Sequence, residues 1–323
     1  MKESGKSLLS RVTDLFHRHD AQRRIRELEP FYREMEQLTA SLEEARRSSG
    51  RWPPGHFYSP MPSESDVRVG LARARNRLEF GGIDLRDDAQ RALLEQLALE
   101  YPRIRFPASS DPEFRFYLEN ASYGHYDAVL FACMVLHFKP ARIIEVGSGM
   151  SSALMLDLNE RHFGGRIALT LIEPHPEQLF ARLHPGDINR TTVIEHKVQD
   201  APLELFRTLG ANDILFIDSS HVSKVGSDVN HLFFEVLPLL APGVLVHIHD
   251  ITGNLEYPEE WFAEGRAWNE LYLLRAFLMH NSAFEVLVLS PRLKAMNMEF
   301  LAQHMPLCLH GGGGQMWIRR KPE

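Results

Sequence analysis

Two hydrophobic rhythms divide the chain. Near the N-terminus the apolar residues recur at helical spacing. Leu8, Leu9, Val12, Leu15 and Phe16 form one stripe, and Ile25, Leu28, Phe31, Met35, Leu38 and Leu42 form a second. Pro30 falls inside the second stripe and is expected to kink or restart that helix. Charged residues fill the remaining faces, so residues 1–50 read as an exposed helical arm. Residues 51–65 (RWPPGHFYSPMPSES) cannot continue a helix, because four prolines interrupt them. Their Trp52, Phe57 and Tyr58 point to an ordered loop rather than a flexible linker. Helical patterns return over Asp66–Arg77 and Asp87–Tyr101, and a long helix is expected within Asp111–Lys139, ending before Pro140.

From Ala141 the rhythm changes to short apolar, β-branched runs separated by helical segments. The runs are Ile143–Val146, Ile167–Ile172, Thr192–His196, Asp213–Ile217, Val244–Ile248, Phe284–Leu289 and Met316–Arg319. The helical segments are Ser151–Arg161, Pro176–Leu183, Pro202–Leu209, Val229–Leu240 and Gly265–His280. Strands that are apolar on both faces and alternate with helices predict a mostly parallel α/β sheet covered on both sides. The expected architecture is a seven-stranded Rossmann-like domain over 141–323. A Pro-rich loop and helical lid region (51–140) and the arm (1–50) precede it. The tract Gly311–Gly314 suits a sharp hairpin or mobile turn into the last strand, and no helix follows it to make a phosphate loop.

Composition narrows the possibilities. The chain has 323 residues, 44% hydrophobic and 24% charged, and a formal net charge of −7. That balance excludes disordered, collagen-like and disulfide-scaffold classes and supplies no bulk attraction for nucleic acid. Cys133 and Cys308 are far apart with no CxxC partner, so they read as two reduced thiols. No run is long and apolar enough for a membrane span, and the charged N-terminus lacks the apolar core of a signal peptide. A cytoplasmic protein is expected.

The strongest chemical signal is Glu145-Val146-Gly147-Ser148-Gly149-Met150-Ser151-Ser152, which leaves the first strand and opens a helix. Gly147 and Gly149 permit a tight turn and close approach to a ligand beyond the carboxyl ends of the strands. A dinucleotide site would want a third glycine where Ser152 stands, and Glu145 suits a cationic ligand better than a pyrophosphate. At these residues the chain resembles the class I S-adenosylmethionine-dependent methyltransferases, over Ala141 to about Arg320. The resemblance implies that Glu145, Gly147, Ser148, Gly149 and Ser151 surround the amino-acid end of S-adenosylmethionine. It implies that Glu173 grips the ribose diol and that Asp200 meets the adenine amino group. Asp218 and Ser219 then border the methyl-transfer site. Asp200 also fits a plain helix N-cap. A closer likeness, to bacterial small-molecule-type enzymes, rests on the segments 53–60 (PPGHFYSP), 218–221 (DSSH) and 247–250 (HIHD).

An oxygen nucleophile needs a base or a metal as well as alignment with the methyl group. His221, His247 and His249 fall at carboxyl ends of central strands, and Asp250 adjoins the last. Three readings stay open: His221 or His249 as a general base with Asp250; a divalent ion such as magnesium on Asp218, His249 and Asp250; or structural histidines. The metal set resembles that of catechol-type methyltransferases, with a histidine present and Ile251 where an asparagine would follow the aspartate. Tyr123, His125, Tyr126 and Asp127 are expected to lid the cofactor. Trp261, Trp268, Asn269 and Tyr272 are expected near the acceptor or in the core. The leading function is O-methylation of a small molecule. A homodimer through the N-terminal helices, an NAD-type oxidoreductase and a cofactor-binding scaffold with an interaction arm are the other expectations.

Overall fold

The computed structural model describes residues 28–43, 51–75, 77 and 79–322. It forms two compact units, Met1–Asp66 and Val67–Glu323. In the first, residues 28–43 are helical without a break at Pro30. Leu28, Phe31, Met35, Leu38 and Leu42 are all exposed there. The stripe Leu8–Phe16 and Ile25 lie outside the described residues. The Pro-rich segment is an ordered turn. Gly55, at φ 80°, donates its N–H to the Met61 carbonyl at 2.9 Å, and Trp52 stacks on His56 at 4.2 Å. Ser63 and Asp66 exchange hydrogen bonds where the helix Glu64–Ala74 begins.

In the second unit the described residues form a seven-stranded sheet in the order β3-β2-β1-β4-β5-β7-β6. The strands are β1 Arg142–Val146, β2 Ala168–Ile172, β3 Thr191–Ile194, β4 Ile214–Ile217, β5 Leu245–His249, β6 Phe284–Leu289 and β7 Gln315–Arg320. β1 to β5 are parallel, and β7 runs antiparallel between β5 and β6. Successive side chains face opposite layers. Ile143, Phe216 and Leu245 join the core under the helices His125–Phe138 and Met150–Phe163. Ile144, Leu215 and Ile217 join a second core on the other side. Cys133 and Cys308 are buried free thiols. Among the described residues no helix is long and apolar enough to cross a membrane.

Five segments differ from the sequence reading. The helix expected within Asp111–Lys139 begins only at His125. Before it, the Asn120 side chain accepts the N–H groups of Ser122 and Tyr123, a local turn that competes with helix. Val229–Leu240 is a helix at Asp228–His231, a π turn at Leu232–Val236 and a 3-10 turn at Leu237–Leu239. Pro238 has no N–H to continue a regular ladder. The helices Glu259–Ala263, Ser290–Met296 and Met298–His304 were not anticipated. Pro258 and Pro291, at their N-terminal ends, were the available signal for two of them.

Candidate functional site

β1 lies between β2 and β4, so the strand order reverses there and a crevice opens beyond the carboxyl ends. Backbone bonds lace the three strand ends together. Gly147 donates to the Ile172 carbonyl at 3.0 Å, and Asp218 donates to the Val146 carbonyl at 2.9 Å. Gly147 has φ 85°, and a Cβ there would stand 1.8 Å from the Asp218 carbonyl oxygen. Only glycine meets both conditions.

Two cavities meet at this turn. One, of about 220 Å³, is lined by Tyr123, Ser148, Gly149, Ser151 and Gln178. The other, of about 380 Å³, is lined by Lys197, Gln199, Ser219 and Lys224. Gly147, Glu173 and Asp218 belong to both linings. Glu173 is held by the N–H groups of Ser148 at 3.1 Å and His175 at 2.8 Å.

Two expected contacts are corrected. Glu145 is fully buried beneath the turn and lines neither cavity. Its carboxylate accepts the hydroxyls of Ser151, at 2.6 Å, and Ser152. It therefore braces the helix start. Asp200 is exposed on the turn Val198–Asp200 and lines neither cavity. It is not the cap of the next helix either, since Pro202 holds that position. Its neighbour Gln199 faces the larger cavity. Gln199 Nε2 donates to the Gly226 carbonyl at 2.7 Å, while its buried Oε1 has no partner.

Burial pushes Glu145 up to about 8, against the opposing pull of the serine hydroxyls. A carboxyl raised on folding binds its proton more tightly in the native state, so stability falls as pH rises from the unfolded value through about 8. Glu145→Gln keeps the shape without the charge. Its melting temperature should match the wild type at acid pH, exceed it progressively as pH rises from the ordinary carboxyl range to about 8, and stay above it by a constant margin beyond that. Parallel pH profiles for the two proteins would contradict this.

Beside the crevice a second group converges. His221 and Asp250 both adopt left-handed backbone, at φ 58° and 56°. His221 Nε2 lies 3.3 Å from Asp218 Oδ1 and 3.6 Å from Asp250 Oδ2. Asp218, His221 and Asp250 each offer a ligand atom, all within 4.8 Å of one another. His249, expected in this set, does not join it. Its ring lies on Tyr123 at 5.1 Å, and its Nε2 is 3.8 Å from Asp250 Oδ1. His247 stacks on Phe216 at 4.0 Å in the core, where burial pushes its pKa far down. It is structural. Tyr123 is buried against His249, and its hydroxyl has no partner.

Burial favours neutral His221, but hydrogen bonds to Asp218 and Glu270 outweigh it and raise the imidazole to about 10. Asp218 is lowered: burial opposes this, and the neighbouring His249 and His221 overcome it. Burial raises Asp250. Glu270, which the sequence gave no reason to single out, is wholly buried with Oε2 2.8 Å from His221 Nδ1. Trp268 lies on the His221 ring at 4.3 Å and against Trp261 at 4.9 Å, with Arg266 over both indoles. The glycine tract is seated beside this group. Gly313 packs on the Tyr126 ring, and Gly314 accepts the Ile251 N–H at 2.8 Å and donates to Asp127 at 2.9 Å.

Residues 144–251 match a family described as a methyltransferase domain. An uncharacterized protein of Archaeoglobus fulgidus is 33% identical over 180 residues, covering 53% of this chain and 80% of that one. Among solved structures, the SAH-bound methyltransferase of Podospora anserina is 18% identical, covering 81% of this chain and 98% of that one, with a TM-score of 0.39. A methyltransferase from Geobacter sulfurreducens is 17% identical, covering 80% and 97%, with a TM-score of 0.35.

Proposed function

Since the chain belongs to the class I S-adenosylmethionine-dependent methyltransferases, we propose that it methylates an oxygen of a small hydroxylated acceptor beside a divalent ion. The observation that carries this reading is the position of Asp218. It lines both cavities and also belongs to the convergent group with His221 and Asp250. A cofactor in the cavities and an acceptor at that group would therefore be neighbours.

The residues present fit the cofactor. Glu173 offers acceptor oxygens for a ribose diol, and the unpartnered Gln199 Oε1 suits an adenine amino group. The small side chains and amides of Ser148, Gly149 and Ser151 border the smaller cavity, which suits the amino-acid end. Asp218, held ionised, faces the place of a positive sulfur. When bound, S-adenosylmethionine supplies an electrophilic methyl group for in-line displacement. A dinucleotide reading is not supported: Ser152 fills the place of the third glycine and is tied to Glu145.

Two carboxylates and an imidazole also fit a divalent ion, which would lower the pKa of an acceptor hydroxyl. Asp218, His221 and Asp250 would hold it. His221 is only 5% exposed, so a slender hydroxyl-bearing molecule suits the approach better than a folded macromolecule.

The test is a panel of polyhydroxylated acceptors with S-adenosylmethionine, read by product mass for the gain of one methyl group. Chelation should abolish turnover and added metal should restore it. Asp250→Asn should lower kcat by about a hundredfold while the affinity for S-adenosylhomocysteine stays unchanged. Full activity after exhaustive chelation would refute the metal.

A further inference from the structure

Three consecutive residues after β5 grip His221 from several directions. The His221 carbonyl accepts the N–H groups of Asn269 at 3.0 Å and Glu270 at 3.1 Å. Trp268 covers the ring at 4.3 Å. Asn269 also accepts the Ser223 N–H at 2.5 Å and donates to the Ser223 carbonyl at 3.2 Å. His221 is thereby fixed in a left-handed conformation. Glu270 Oε2 takes the remaining freedom by bonding Nδ1 at 2.8 Å.

Glu270 is expensive as a packing residue. It is fully buried and its Oε1 has no hydrogen-bond partner. An apolar side chain of similar size would fill the space without that desolvation. Its carboxylate has one evident use. With a proton held on Nδ1, Nε2 is directed toward Asp218 and Asp250, 3.3 and 3.6 Å away, and is the nitrogen that would give up its proton to an ion. A carboxylate behind an imidazole that faces two further carboxylates is how an oriented metal-binding histidine is built.

We propose that Glu270 is a positioning residue that presents His221 Nε2 as a nitrogen ligand, so that the site prefers a first-row transition ion such as Ni²⁺ to Mg²⁺. The proposal rests on the metal reading above. Magnesium favours an all-oxygen shell, whereas imidazole suits transition ions.

The experiment titrates Ni²⁺ and Mg²⁺ calorimetrically into the wild type, Glu270→Ala, Glu270→Gln and His221→Asn. Wild-type protein should bind Ni²⁺ at least about tenfold more tightly than Mg²⁺. Glu270→Ala should lose about 10–100-fold in Ni²⁺ affinity, with a much smaller loss for Mg²⁺. Glu270→Gln, whose amide oxygen still accepts the Nδ1 proton, should recover part of the loss. His221→Asn should abolish the preference. Affinity for S-adenosylhomocysteine should be unchanged in the two Glu270 variants, because Glu270 lines neither cavity; that separates mispositioning from misfolding.

A second readout needs no metal. In protein labelled with ¹⁵N in its histidine rings, the His221 Nδ1 proton should be protected from exchange in the wild type and in Glu270→Gln, and lost in Glu270→Ala. Ni²⁺ affinity in a folded Glu270→Ala within about twofold of the wild type, or an unchanged Nδ1 proton there, overturns the positioning. Binding of neither ion by the wild type overturns the metal reading and the selectivity, while the Nδ1 proton still decides what Glu270 does.

Discussion

Gly147→Ala should lose at least about a hundredfold in affinity for S-adenosylhomocysteine, about 2.8 kcal/mol. The added methyl group would stand 1.8 Å from the Asp218 carbonyl oxygen, and backbone cannot yield as a flexible side chain can. The position also has φ 85°, which alanine resists. Relief of the clash must part β1 from β4 or twist the turn, and either one moves Gly147 and Asp218, which border both cavities. Calorimetric titration of S-adenosylhomocysteine into the variant, with circular dichroism to verify folding, measures the effect. An affinity within a few-fold of the wild type would show that ligand binding does not depend on this turn.

The largest expected loss of stability lies elsewhere, at Arg115. Its guanidinium is buried and bonds Asp157 at 2.8 Å and Asp187 at 2.7 Å from each of two nitrogens. Asp157 and Asp187 are buried as well, and Asp157 also takes the N–H groups of Arg115 and Phe116 at 2.9 Å. Arg115→Met would leave two carboxylates in the interior without their cation, a change worth roughly 3–5 kcal/mol. Equilibrium urea unfolding should show it as a lower midpoint. Adding Asp157→Asn and Asp187→Asn should restore part of the loss, because the penalty comes from uncompensated charge. A loss below about 1 kcal/mol would place Arg115 among ordinary surface pairs. Cofactor affinity should fall too, since Arg115 pins the segment that carries Ser122 and Tyr123 to the smaller cavity.

The sheet was largely legible. Ile214–Ile217 and Val286–Leu289 are apolar on both faces, and only a strand buried on both sides needs that. Gly147 was legible because its position between a strand and a helix leaves few other uses for the residue. Asp111–Gly124 was misread because its fold is set by Asp157, some forty positions along the chain, and no local pattern reveals that partner. That Gln199 lines the larger cavity and Asp200 does not was not legible, because the twist of one 3-10 turn decides which side chain faces it. His221 joined Asp218 and Asp250 in place of His249 because two non-glycine residues, His221 and Asp250, take left-handed backbone. Strand alternation, which is the only guide in the sequence, fails at such a bend. Glu270 belongs to the same class: its meaning depends on a histidine in another loop.

The position of β7 sets an order of assembly during synthesis. A ribosome releases β1 to β4, and with them the turn at Gly147, Glu173 and Asp218, long before β7 exists. β5 emerges next with one edge open, because its second neighbour is the last strand made. Asp250 stands at the end of β5, and the next residue, Ile251, is anchored by the Gly314 carbonyl. The half that would receive a cofactor can thus close on a nascent chain, whereas the half that would receive an acceptor waits for residues 313–320. A partly made chain therefore has the Gly147 turn in place before Asp250, at the end of β5, is fixed.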